Sequence, residues 1–292
     1  MFQGSIVALV SPFGRDGQVD ETALEGLIDW HVASGTSALV IAGTTGESAT
    51  LDKDEHVALI ATAARIAAGR VPIIAGTGSN STAQTVALSQ AVDKLDVDAF
   101  LLVAPYYNKP TQEGLFQHFS AVADAVEKPV LLYNVPGRTC SDVLPETVAR
   151  LAQHPRIVGI KDATGDVGRL QAMLDVVDAE DFVYLSGDDF TTLAFIRAGG
   201  RGCISVTANV APAKMARLCA MALDGEGAAA NTLDAELQPL HEAMFVESNP
   251  IPVKWALESM GRIEGSLRLP LTALGDAYRP GVQGALAEAG LV

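Results

Sequence analysis

The feature that most constrains this chain is a recurring order of segments. A short apolar run is followed by a turn, a capped amphipathic stretch and a polar or glycine stop, and then the next apolar run begins. The apolar runs are Ser5 to Val10, Ala38 to Ala42, Val71 to Ala75, Ala99 to Ala104, Pro129 to Tyr133, Ile157 to Lys161, Phe182 to Leu185 and Gly202 to Val206. Continuous apolar strands alternating with helices belong to a parallel sheet covered on both faces. The alternation repeats about eight times at a spacing of roughly 25 to 33 residues, which is the count of a TIM (β/α)8 barrel. A doubly wound open sheet is the competing architecture. It usually carries Gly-x-Gly-x-x-Gly after its first strand, whereas this chain has Ser11-Pro12-Phe13-Gly14 there. Helix starts are marked by Asp20, Asp52, Asn80 or Ser81, and Thr111, with Glu55 placed for a capping-box-like bond and Gly35 and Gly69 as stops. After Leu223 the strands cease. Helices are expected over about Ala228 to Phe245, Pro252 to Met260 and Leu274 to Ala289. The expected organisation is a catalytic barrel over 1–224 and a small C-terminal helical domain over 225–292, with Gly225-Glu226-Gly227 as the joint.

The chain has 292 residues, 49% of them hydrophobic, enough for one large barrel or two smaller domains. A formal charge of −15 repels phosphate backbones and argues against a nucleic-acid partner, while leaving room for a small anion held by a few local cations. No apolar run approaches the roughly 18 residues of a membrane span, and Met1-Phe2-Gln3-Gly4-Ser5 lacks the basic region of a signal peptide. Three unpaired-looking cysteines (Cys140, Cys203, Cys219) fit a cytoplasmic protein. The five histidines form no His-Glu-x-x-His or similar pair, so no catalytic metal is expected.

Within the sixth apolar run, Arg156-Ile157-Val158-Gly159-Ile160-Lys161-Asp162, one residue does not belong by composition. A lysine is almost never fully buried unless it is paired or used. Burial lowers its pKa, and a neutral amine reacts with a carbonyl to give a Schiff base. The structural alternative is that Lys161 ends the strand and reaches out to solvent. Chemistry in such barrels sits where the strands end. There the chain places Gly43-Thr44-Thr45-Gly46-Glu47, Tyr106-Tyr107-Asn108-Lys109 and Tyr133-Asn134-Val135-Pro136-Gly137-Arg138-Thr139. Tyrosine can shuttle a proton, and arginine is the natural clamp for a carboxylate. Gly199-Gly200-Arg201-Gly202 looks like a phosphate cradle but precedes the eighth strand, on the opposite face. The loops after strands seven and eight, Ser186-Gly187-Asp188-Asp189 and Thr207-Ala208-Asn209, are acidic or neutral and do not suit a phosphorylated substrate.

These motifs, together with Asn249-Pro250-Ile251-Pro252-Val253-Lys254, resemble the dihydrodipicolinate synthase family of pyruvate-dependent class I aldolases over essentially the whole chain. The resemblance implies a lyase of lysine and diaminopimelate biosynthesis that needs no cofactor and joins pyruvate to L-aspartate-4-semialdehyde. It implies that Lys161 forms the pyruvate imine, that Tyr133 moves the protons, and that Thr44 and Tyr107 complete a relay, with Tyr107 arriving from a neighbouring subunit of a dimer of dimers. It further implies that Thr45 holds the pyruvate carboxylate, that Arg138 holds that of the semialdehyde, and that Gly187 and Ile204 shape the pocket. Sister enzymes such as N-acetylneuraminate lyase and 2-keto-3-deoxy sugar acid aldolases share the lysine and tyrosine. They generally lack an arginine in the loop of Arg138, which suits a short carboxylated aldehyde. A barrel kept only for binding is opposed by the intact lysine, tyrosine and threonine positions.

Many members are inhibited by L-lysine at a subunit cleft, whose matching residues here are Ser48, Ala49, His56, Asn80 and Tyr106. Two further positions depart from the lysine-sensitive pattern. Lys53 replaces a histidine or aromatic residue, and Gln84 replaces a glutamate. The cleft gains about two positive units beside a cationic ligand, which implies about 1–3 kcal/mol weaker binding and weak or absent inhibition.

Overall fold

In a computed structural model describing residues 2–292, eight parallel strands close into a barrel in sequence order. They are β1 (Gly4–Ala8), β2 (Ala38–Ile41), β3 (Ile73–Gly76), β4 (Ala99–Val103), β5 (Val130–Asn134), β6 (Ile157–Asp162), β7 (Val183–Ser186) and β8 (Gly202–Ser205). Strand β1 pairs with β8 from Gly4 opposite Gly202 to Val7 opposite Ser205, so the sheet has no free edge. Side chains alternate across this sheet. Ile6, Val40, Ile74, Leu101, Leu131 and Ile204 fill the interior, while Val7, Leu39, Phe100, Leu102, Leu132 and Ile160 face the helices. The doubly apolar runs of the sequence are this two-sided burial. Gly159 interrupts β6 because a Cβ there would lie 2.5 Å from the Val183 carbonyl oxygen and 3.0 Å from a Leu131 methyl.

The intervening helices are α1 (Glu21–Ala33), α2 (Lys53–Ala67), α3 (Thr82–Val92), α4 (Gln112–Asp124), a short α5 (Pro136–Thr139), α6 (Pro145–Leu151), α7 (Val167–Val176), α8 (Thr192–Arg197) and α9 (Pro212–Leu223). The expected caps are in place: Asp20, Asp52, Ser81 and Thr111 accept from the backbone N–H of Ala23, Glu55, Gln84 and Gly114. Each contributes about 1 kcal/mol to its helix start. Glu55 does not return a capping-box bond. Its carboxylate is taken by the Arg268 guanidinium instead, a partner 213 residues away. The short α5 was expected as loop, and the Val135-Pro136 sequence starts it with proline in the first turn.

Three helices follow the barrel: α10 (Gly227–Ala243), α11 (Ile251–Ser259) and α12 (Arg279–Glu288). The last begins later than the Leu274 expected from hydrophobic pattern, because Pro280 suits only a first turn and residues ahead of it are irregular. Leu237, Leu240, Val253, Leu257 and Leu286 from these helices share one apolar cluster with Met215 and Leu218 of α9. The tail therefore packs on the barrel's own helix shell. Among the described residues no helix is long and apolar enough to cross a membrane.

A fully buried ion pair joins the two parts. Lys254 Nζ donates to Glu47 Oε1 at 2.5 Å, with both side chains shut off from solvent. The ammonium also donates to the Ser266 carbonyl, and the second carboxylate oxygen accepts from the Arg268 N–H. Phe13 lies beneath both cations, 4.3 Å from Lys254 Nζ and 4.2 Å from the Arg268 guanidinium carbon. A buried pair is tolerable only when its remaining donors and acceptors are satisfied in this way.

Candidate active site

The strands end in a cavity of about 130 Å³ lined by Thr44, Thr45, Tyr133, Arg138, Lys161 and Gly187, among others. This is well below the roughly 300–1,000 Å³ typical of drug-sized ligands. Lys161 is next to last in β6, in register with Tyr133 of β5, and its side chain follows the inward alternation of Gly159. It is 5% exposed, so it does not reach out to solvent. Its Nζ lies over the Tyr133 ring, 4.3 Å from the centroid. Burial depresses the Lys161 pKa from 10.5 to about 8; the Asp189 carboxylate and Cys203 oppose that shift and Arg138 adds to it. At neutral pH an appreciable fraction of this amine is therefore free, against a negligible fraction for an ordinary lysine.

Burial also raises the Tyr133 pKa, against the influence of Arg138 and of a hydrogen bond with Thr44. Tyr133 is thus a phenol, able to give a proton, beside an amine able to attack. Gly187 faces them from the end of β7. A Cβ there would lie 2.6 Å from Ala163 Cβ and 2.8 Å from Lys161 Cε, so only glycine leaves room for the lysine. Ile204 belongs to the packed barrel interior and is not among the cavity-lining residues; at that strand's end the wall is Val206.

The next residues along β5 and β6 point the other way and hold the site from behind. Asn134 Nδ2 donates to Asp142 at 2.9 Å and to Asp162 at 3.2 Å. Arg169 bridges Asp162 and Asp142 at 3.1 Å each. This locks the strand pair whose inward residues are Tyr133 and Lys161.

Thr45 is buried, and its hydroxyl oxygen accepts from Asn249 Nδ2 at 2.9 Å. Arg138, on the accessible face of α5, donates to the Asn249 carbonyl at 3.4 Å. Asn249 and Phe245 are wall residues contributed by the turn between α10 and α11. In the sequence Asn249 belongs only to the Asn249-Pro250-Ile251-Pro252-Val253-Lys254 motif, and nothing local places it in the site. Asp189 likewise carries no local signal of its role. Its Oδ2 accepts from the N–H groups of Val206 and Thr207, fixing the turn after β8.

A second, larger cavity of about 660 Å³ adjoins the first and shares Thr44, Val135 and Arg138 with it. Ser48, Ala49, His56 and Tyr106 line it, and so do Lys53 and Gln84. Asn80 does not. Its carbonyl accepts from the Asn108 side chain, and Ser79 takes the wall position. Tyr107 lines neither cavity. It is 88% exposed, and its backbone φ of 74° lies in the left-handed region, which is unfavourable for an aromatic residue. The glycine-rich turn before β8 lies at the far end of the barrel, where the Arg201 carbonyl accepts from the Gly4 N–H.

The family model of the dihydrodipicolinate synthetase family matches residues 1–289. The chain belongs to this family. A 4-hydroxy-tetrahydrodipicolinate synthase from Acidithiobacillus ferrooxidans is 55% identical over 289 residues, covering 99% of each chain. The fold superposes on the dihydrodipicolinate synthase of Acinetobacter baumannii, described as chloride inhibited and complexed with pyruvate, with a TM-score of 0.98, 51% identity and full coverage of both chains. A family member from Cyanidioschyzon merolae, solved with lysine bound, matches with a TM-score of 0.96 at 38% identity, covering 100% of this chain and 99% of that one. Family membership gives the Lys161–Tyr133 arrangement its chemical context.

Proposed function

We propose that this chain is a 4-hydroxy-tetrahydrodipicolinate synthase, a lyase that condenses pyruvate with L-aspartate-4-semialdehyde. The observation that carries the mechanism is a buried lysine with its pKa lowered to about 8, facing a protonated tyrosine in a small cavity closed by two threonines and an arginine. The free amine of Lys161 attacks the pyruvate ketone. Tyr133 gives its proton to the departing hydroxyl, so water leaves and an imine forms. The imine draws electrons from the adjacent methyl group, which loses a proton to become an enamine. The enamine carbon adds to the aldehyde of the second substrate. That substrate's own amine then displaces Lys161, closing the ring and restoring the free lysine.

Thr45 is the proposed holder of the pyruvate carboxylate, and Arg138, which lines both cavities, that of the semialdehyde. Thr44, which lines the cavity with Tyr133 and counters the rise in its pKa, is the proposed second member of the proton relay. Gly187 shapes the pocket by the space it leaves. Ile204 acts from the packed layer of the barrel interior. Tyr107, exposed and held in a costly backbone conformation, is proposed to complete the relay of a neighbouring copy, which makes the active form a homo-oligomer. The larger cavity is the proposed site for L-lysine, weakened by Lys53 and Gln84 on its wall. A cytoplasmic location and a division into a barrel over 1–224 and a helical domain over 225–292 complete the reading.

Incubation with pyruvate and borohydride should add one three-carbon unit at Lys161, located by peptide mass spectrometry. Turnover with aspartate semialdehyde in a coupled assay should follow. An adduct on another lysine, or none, contradicts the mechanism. Imine formation without turnover of the semialdehyde contradicts the second substrate.

A further inference from the structure

We propose that Asn249, supplied by the turn between α10 and α11, is a positioning residue that aims the Thr45 hydroxyl proton at a carboxylate in the Lys161 cavity. This rests on the reading of Thr45 as the holder of the pyruvate carboxylate.

A threonine hydroxyl can donate once and accept twice. The Asn249 side chain comes 204 residues along the chain to donate from Nδ2 to Thr45 Oγ1 at 2.9 Å, in a buried contact. That bond occupies a lone pair and leaves the Thr45 proton uncommitted. Among the described residues it is the hydrogen bond made by this hydroxyl, and both residues line the cavity. The proton is therefore available to a ligand oxygen. Without Asn249 the hydroxyl would be free to rotate. The other end of the amide, Asn249 Oδ1, is buried without a protein partner.

One further contact fixes Asn249, and another fixes the segment that carries it. Its carbonyl accepts from Arg138, so one residue touches both proposed carboxylate holders. One turn into α11, Lys254 grips Glu47, two residues beyond Thr45. The Thr45 loop and the Asn249 turn are thereby pinned to each other across the barrel rim.

The test compares wild type with Asn249→Ala, Asn249→Asp, Thr45→Val and the double variant Thr45→Val with Asn249→Ala. Two readings are taken on the intact protein: the pyruvate concentration that half-saturates borohydride trapping at Lys161, and the kcat and KM for pyruvate at saturating semialdehyde. Losing one hydrogen bond to a charged ligand should raise half-saturation about tenfold in Asn249→Ala, with kcat falling by less than about twofold. Asn249→Asp should be weaker still, since an ionised carboxylate can only accept, pulls the Thr45 proton back and repels the pyruvate carboxylate. In the Thr45→Val background, Asn249→Ala should add nothing. Thermal unfolding checks that each variant is folded; if Asn249→Ala is not, the isosteric Asn249→Asp carries the same comparison. A Thr45→Val protein with wild-type half-saturation overturns the role of Thr45 and the inference with it. An impaired Thr45→Val beside unimpaired Asn249 variants, or independent effects that multiply in the double variant, overturns the inference alone.

Discussion

Adding a single methyl group at Gly187 should disable the lysine without unfolding the protein. The Cβ of Gly187→Ala would stand 2.6 Å from Ala163 Cβ, 2.8 Å from Lys161 Cε and 3.0 Å from Lys161 Cγ. Carbon atoms rest at about 3.5–4.0 Å, so something must move by about 1 Å. The backbone at Gly187 cannot retreat easily, because its N–H donates to the Asp162 carbonyl at 2.6 Å. Ala163 has no rotamer to change. The flexible Lys161 side chain is left to yield, and it carries Nζ with it. A displacement of about 1 Å in a reacting group costs on the order of a hundredfold in rate, or about 2.7 kcal/mol of barrier. Overpacking should cost a further 1–3 kcal/mol or so of stability, a fall of several degrees in the unfolding midpoint. The assay is the rate of pyruvate-dependent borohydride labelling at Lys161, read beside a thermal melt. A folded Gly187→Ala protein that labels at the wild-type rate would refute the argument that this glycine exists to make room for the amine.

Other outcomes follow from the same geometry. Arg138→Ala should keep imine formation but reduce kcat/KM for the semialdehyde by an amount corresponding to about 2–3 kcal/mol; unchanged kinetics in the coupled assay would count against the assigned substrate. Below about pH 8 the Lys161 amine is mostly protonated, so imine formation should rise with pH and level off above that value, as measured by stopped trapping across pH. Asp189→Asn removes a charge that favours the ammonium, so the midpoint of that profile should move to lower pH; a midpoint that stays or rises contradicts the electrostatic assignment. Lys254→Met strands the Glu47 carboxylate in the interior and should cost about 3–5 kcal/mol. Adding Glu47→Gln should recover part of that in a denaturant titration, and a double variant no more stable than the single would show that the charge was not the problem. L-Lysine should inhibit weakly or not at all, half-inhibition well below about a millimolar would refute the charge argument, and Lys53→His with Gln84→Glu should restore sensitivity.

Much of this was legible in the amino-acid order because it depends on short-range rules. Two-sided burial gives the uninterrupted apolar runs, and caps such as Asp20 and Thr111 act within three residues. Lys161 stood out because a charged residue in a run such as Ile157 to Ile160 conflicts with its surroundings unless it has a use. What escaped depends on partners distant in sequence. Asn249 meets Thr45 only because the tail folds over the barrel rim, and Glu55 forgoes its own helix cap for Arg268. Asp189 reads as one more acidic loop residue until its two backbone donors are seen. The displacement of Asn80 from the cavity wall is a matter of loop path, with Ser79 turned inward in its place. Nor does a sequence show that Tyr107 sits at positive φ, since nothing in a Tyr-Tyr-Asn-Lys string demands it.

The back-to-back arrangement on β5 and β6 has a consequence for how such an enzyme could change. Tyr133 and Lys161 face the cavity, while Asn134 and Asp162, one residue further on, are bolted to Asp142 and Arg169 outside the barrel. Reactivity and anchorage thus reside on opposite sides of the same two strands. A substitution on the inner side alters what is bound or made without loosening the bolt, and a repair on the outer side restores rigidity without touching the chemistry. A library that varies wall positions such as Val135, Ala163 and Val206 while leaving the outer quartet untouched would keep the lysine in place as the acceptor aldehyde is changed. Varying the quartet instead would scatter the lysine before any new preference could be selected.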